Sequence, residues 1–102
     1  VRIRLALTED VPTIKPYDEA RWAELPDARA LPVEISLGLL DALHRRWVPL
    51  LQQIDAATAA RRLRHPEHGR EMTLDEIVAL YAWHGHHHVA HVTGLRERMG
   101  WR

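Results

Sequence analysis

Along the last third of the chain, Leu74, Ile77, Tyr81, His84, His88, His91 and Leu95 recur at steps of 3, 4, 3, 4, 3 and 4 residues. That is the period of one helix face, and it predicts a long helix with this stripe turned inward. Thr73 followed by Glu76 fits a capping box, which starts the helix at Thr73. Gly100 supplies a stop just beyond about Arg98. A second helix is predicted from about Pro32 to Ile54, where Leu37, Leu40, Leu43, Trp47, Leu50, Leu51 and Ile54 keep the same period. Pro49 falls inside it, removes one backbone donor and should kink it.

The remaining segments are shorter. Val1, Ile3, Leu5 and Leu7 alternate with Arg2, Arg4 and Ala6, a pattern that by itself favours a strand. Thr8–Pro16 reads as a loop punctuated by Pro12 and Pro16, Asp18–Leu25 as one or two helical turns, and Pro26–Pro32 as a second loop. Asp55–Arg61 reads as a short helical turn. Leu63–Met72 holds the turn signal His65-Pro66-Glu67-His68-Gly69 between two short extended pieces, which predicts a small β-hairpin before the last helix.

Composition narrows the functional classes. The 102 residues suit one small domain, spanning 1–102. Fourteen basic and fourteen acidic side chains cancel, so charge makes no case for nucleic acid or an anionic membrane as partner. No apolar run approaches a membrane span. Val1–Leu7 carries Arg2 and Arg4 with no long apolar stretch behind it, unlike a signal peptide, and a cytoplasmic location is the expectation. Cysteine is absent, so any metal must be held by nitrogen and oxygen. The chain opens on Val inside an amphipathic segment, which suggests part of a longer protein.

Eight histidines are the unusual number, and five of them fall between His84 and His91. His84 and His88 are four apart, about 6 Å along a helix axis and on one face, so two imidazoles can converge on one divalent ion. A lone histidine on an apolar face is usually a hydrogen-bonded core residue. Three on one stripe, with His87 beside them, favour a metal instead, because each unpartnered buried imidazole costs about 1–3 kcal/mol. His91 lies about 10 Å along the axis from His84, too far to share its ion on a straight helix. Gly85 follows His84, so the HExxH pattern of zinc proteases is absent. His86 is expected to be solvated, His44 to be a core histidine or a neighbour of the site, and His65 and His68 to be structural or exposed. Trp83 and Trp101 are expected to pack rather than to stack on a substrate.

The run Tyr81-Ala82-Trp83-His84-Gly85-His86-His87-His88-Val89-Ala90-His91, with Arg98-Met99-Gly100-Trp101 after it, resembles the C-terminal helix of the DinB-like superfamily. More narrowly it is similar to the YfiT-type metal-dependent hydrolases, which include bacillithiol S-transferases. Leu7-Thr8-Glu9, Pro16-Tyr17-Asp18-Glu19, Trp22, Ser36-Leu37, Leu43-His44, Arg46-Trp47 and His65-Pro66 extend the likeness over essentially the whole chain. The resemblance implies an all-α fold, the C-terminal part of a four-helix bundle lacking the first helix and most of the second, with Val1–Leu7 as helix rather than strand. It implies one nickel or zinc ion on three histidines. Two of these match His84 and His88, and the third is expected upstream of Val1. Pro49 departs from the family pattern.

The implied activity is transfer of a low-molecular-weight, bacillithiol-like thiol to an electrophilic small molecule, with metal-assisted hydrolysis by water as the alternative. His87, His91 and His44 are then expected to orient the ligands or touch substrate. A rival reading is a non-catalytic truncated bundle with a vestigial metal site. In either case two long helices and a hairpin leave a broad apolar face, and pairing into a homodimer is expected.

Overall fold

The structure is a computed structural model that describes residues 1–102. Its elements in order are α1 (Arg2–Thr8), α2 (Glu19–Ala23), α3 (Pro26–Ala30), α4 (Val33–Gln52), α5 (Ala56–Ala59), β1 (Arg62–His65), β2 (Arg70–Thr73) and α6 (Leu74–Met99). A 3₁₀ turn, Pro66–His68, joins the two strands. The chain is mostly helical with one small hairpin, as expected from sequence.

Helix α6 starts at the predicted cap. Thr73 Oγ1 accepts from the Glu76 amide at 3.1 Å, and Glu76 Oε2 accepts from the Thr73 amide at 2.8 Å. Both bonds satisfy amides that a helix start leaves unpaired. The carboxyl of Glu76 is held below the usual glutamate range, chiefly by the Thr73 amide and then by Arg70, whose guanidinium lies 3.1 Å away. At the other end Gly100 takes φ +66°, the left-handed geometry that lets the last carbonyls find donors without a Cβ clash.

The hairpin pairs Leu63 with Met72 and Arg64 with Glu71 in antiparallel register, closed at Gly69 with φ +62°. A strand alternates sides, so Leu63 and His65 of β1 are buried while Arg62 and Arg64 face solvent. The loop before α2 adds an edge to β1. Ile14 donates its amide to the Arg64 carbonyl at 3.1 Å, and the Arg64 amide donates to the Pro12 carbonyl at 2.8 Å. Ile14 is buried as a result.

Ile3 and Ala6 from α1, Ile14, Leu63, Met72, and Leu74 and Ile77 from α6 form the core. Trp47 and Leu51 from the end of α4, with Tyr81 from α6, pack partly buried against it. Arg61 fastens α1 to this cluster, donating from Nε to the Ala6 carbonyl at 2.6 Å and from Nη2 to the Glu9 carbonyl at 2.9 Å. A cation at a helix C-terminus also meets the negative end of the helix dipole.

Two segments differ from the sequence pattern. Val1–Leu7 does not form a strand: Arg2–Thr8 is helical, because burying Ile3 and Ala6, three apart, outweighs an alternation only seven residues long. Pro26–Pro32 is not all loop, since Pro26–Ala30 forms a helical turn with proline at its first position and Asp27 in its first turn. Proline lacks an amide that the first turn would leave unpaired anyway. Helix α4 includes Pro49, within the span that the sequence predicts.

Candidate metal centre

His84 and His88 sit in the middle of α6, and their rings converge. Nε2 of one lies 2.8 Å from Nε2 of the other, with ring centroids 4.4 Å apart. One ring donates its Nε2 hydrogen and the other accepts. Two nitrogens aimed at one point are the donor arrangement that a divalent ion replaces. A tetrahedral ion with nitrogen bonds of roughly 2.0–2.1 Å needs the nitrogens roughly 3.3–3.4 Å apart. Both side chains are exposed, so a small opening of the pair would admit the ion. No third His, Asp or Glu joins the pair in this chain, so the residues present fit as one part of a ligand set.

The neighbouring histidines extend the cluster along the same helix. His87 and His91, again four apart, have ring centroids 4.3 Å apart, and His88 and His91 lie at 6.2 Å. His87 is half-buried, and its imidazole is held below the ordinary histidine value, first by desolvation and then by the imidazoles of His91, His88 and His84.

The inward stripe is inward only at its start. Leu74 and Ile77 are buried and Tyr81 half-buried, whereas His84, His88 and His91 are exposed. The hairpin and α1 pack against the first turns of α6, and the rest of the helix extends beyond that core. His44 is exposed too, not a core residue: its Nδ1 bonds to the Leu40 carbonyl at 2.9 Å and its ring meets Trp47 edge-on at 5.9 Å. His86 is exposed, as expected. His65 is buried at the end of β1 and structural, while His68 is exposed beside it with ring centroids 4.3 Å apart.

Trp83 and Trp101 do not pack in the core, and both are exposed. Trp83 lies over His87 with ring centroids 4.7 Å apart and planes 17° from parallel, and it is also nearly parallel to His84 at 6.3 Å. Sequence reasoning missed this stack. The signal was present in the spacing, because 83, 87 and 91 are a four-residue series on one helix face.

The model of the DinB superfamily matches residues 1–92. A protein of Bacillus mycoides (strain KBAB4), named "Putative metal-dependent hydrolase", is 54% identical over 101 residues, which cover 99% of this chain and 57% of that protein. A protein of the same name in Bacillus cereus (strain B4264) is also 54% identical over 101 residues, with the same coverage. Among solved structures, YfiT from Bacillus subtilis, described as a probable metal-dependent hydrolase with an unusual four-helix bundle topology, superposes with a TM-score of 0.94. It is 44% identical, and the match covers 99% of this chain and 58% of YfiT. The chain therefore spans little more than half the length of these relatives. With the family model covering most of its residues, and close relatives matching nearly all of it, the chain belongs to the DinB superfamily.

Proposed function

We propose that the protein works as a metal-dependent enzyme that activates a small thiol and transfers it to an electrophilic small molecule. The observation that carries the reading is the 2.8 Å approach of His84 Nε2 to His88 Nε2. His84 and His88 would hold the ion, nickel or zinc, with a further ligand from outside these 102 residues. Bound there, a divalent ion supplies Lewis acidity that lowers the pKa of a thiol or of water.

What the chain's own residues contribute favours the thiol. The paired donors are neutral imidazoles, so the full positive charge of the site remains to stabilise an incoming thiolate. The thiol would give its proton to solvent, and its sulfur would bond to the electrophilic carbon as the leaving group departs with its electron pair. The nearest helix carboxylates, Glu76 and Glu97, lie eight and nine residues from His84 and His88, more than two turns away. Neither is placed to take a proton from water. The second reading, hydrolysis, is favoured by the names of the relatives in Bacillus mycoides and Bacillus cereus.

The test uses the full-length, metal-loaded protein with a halogenated arene, with and without bacillithiol or another small thiol. Thiol-dependent conjugate that is lost in His84→Ala supports thiol transfer. Ester or amide cleavage that proceeds equally without thiol replaces it with hydrolysis. Metal content is measured on the same samples: His84→Ala and His88→Ala should each lose the ion, and full retention in either would overturn the pairing.

A further inference from the structure

We propose that His87 and His91 form a second, weaker site for a borderline divalent cation of the nickel, copper or zinc class, adjacent to the His84–His88 pair and roofed by Trp83. The pair repeats the four-residue spacing of its neighbour and brings its two rings as close together. Its ring centroids are 4.3 Å apart and its planes 61° apart, against 4.4 Å and 44° for His84 and His88. Both pairs are four residues apart on one continuous helix, a relation that brings two side chains together over one turn.

The two rings have complementary settings. His87 is half-buried and lies under the indole of Trp83, 4.7 Å between centroids and 17° from parallel, so its ring plane is held before any ion arrives. Holding a donor in its bound orientation lowers the entropy lost on binding. His91 is exposed and gives an ion access from solvent. The donors are again neutral nitrogens, which suit nickel, copper and zinc rather than magnesium or calcium. Two donors leave the remaining positions to water, so this site binds more weakly than one completed by a third ligand.

Nickel titration tests the proposal on the 102-residue protein at a pH where imidazole is neutral. Stoichiometry comes from equilibrium dialysis, and tryptophan emission reports the position of the ion. The wild type should bind two ions per chain. His84→Ala/His88→Ala should keep one ion and the quenching of Trp83 emission, which Trp83→Phe removes without changing stoichiometry. His87→Ala/His91→Ala should keep one ion and lose that quenching, and either single change should weaken the quenching phase tenfold or more. All five positions lie on the one helix α6, and helical circular dichroism confirms that each variant folds. No ion on His84→Ala/His88→Ala, or two ions on His87→Ala/His91→Ala, would overturn the second site. So would one ion on the wild type and one on each double variant, since a single ion would then be shared among four rings. Failure of the His84–His88 reading looks different: the His87→Ala/His91→Ala protein would bind nothing.

Discussion

Trp47 on α4 meets Tyr81 on α6 with ring centroids 5.7 Å apart and planes inclined by 60°. Tyr81 is three residues before His84, so this pair ties α4 to the turn just below the candidate ligands. Aromatic pairs in this range contribute about 0.5–1.5 kcal/mol beyond the area they bury. A double-mutant cycle of Trp47→Ala and Tyr81→Ala, read by urea denaturation, should return a coupling of that size. Strict additivity would show that the contact stabilises nothing of its own.

His65 should make the fold sensitive to mild acid. It is 3% exposed, its Nδ1 has no hydrogen-bond partner, and its Nε2 faces a guanidinium nitrogen of Arg2 at 3.5 Å. Burial first, then the positive neighbours His68 and Arg2, hold it below the ordinary histidine value, with Glu67 opposing them. A folded value below that of the unfolded chain means the unfolded chain binds more protons as pH falls. The stabilisation is therefore complete above about pH 6.5 and declines as pH drops through 6.5 toward the folded value. Urea midpoints between pH 8 and pH 5 should fall more for the wild type than for His65→Leu. Parallel pH curves would disprove the assignment to His65.

Local chemistry was legible in the sequence, and tertiary context was not. Thr73, Glu76 and Gly100 mark the ends of α6 because caps depend on neighbours a few residues away, and the hairpin turn around Gly69 is legible for the same reason. The alternation at Val1–Leu7 misleads because a seven-residue pattern is too short to separate periods of 2 and 3.6. The spacing of His84 and His88 foretold their convergence, since helix geometry alone sets it. Their exposure was not foretold, because burial depends on which elements cover the helix, and the core ends near Ile77.

Thr73→Ala should cost about 0.5–2 kcal/mol, the usual loss when a helix cap is removed. Thr73→Ser keeps the oxygen that accepts from Glu76 and should recover most of it. Thermal unfolding of both variants checks this, and equal losses would point to the threonine methyl group instead of the cap.

Arg61→Met should free α1 from the core. It keeps much of the side-chain volume but removes both bonds to the Ala6 and Glu9 carbonyls; the buried Ala6 carbonyl, left without a partner, should cost about 1–3 kcal/mol, while water can replace the exposed bond to Glu9. Amide hydrogen exchange should rise first within Arg2–Thr8, before the hairpin loosens. Uniform acceleration across the whole chain would show instead that α1 and the hairpin open as one unit.

Helix α6 carries two tasks on different stretches of one rod. Ile77 closes the core, and seven residues later, about 10 Å along the axis, His84 opens the histidine cluster. Residues that far apart with no shared partners respond to substitution nearly independently. Changes in the donor set should thus add to the effects of changes in the core without compounding them. One helix thereby separates the residues that fold the chain from the residues that offer nitrogen donors.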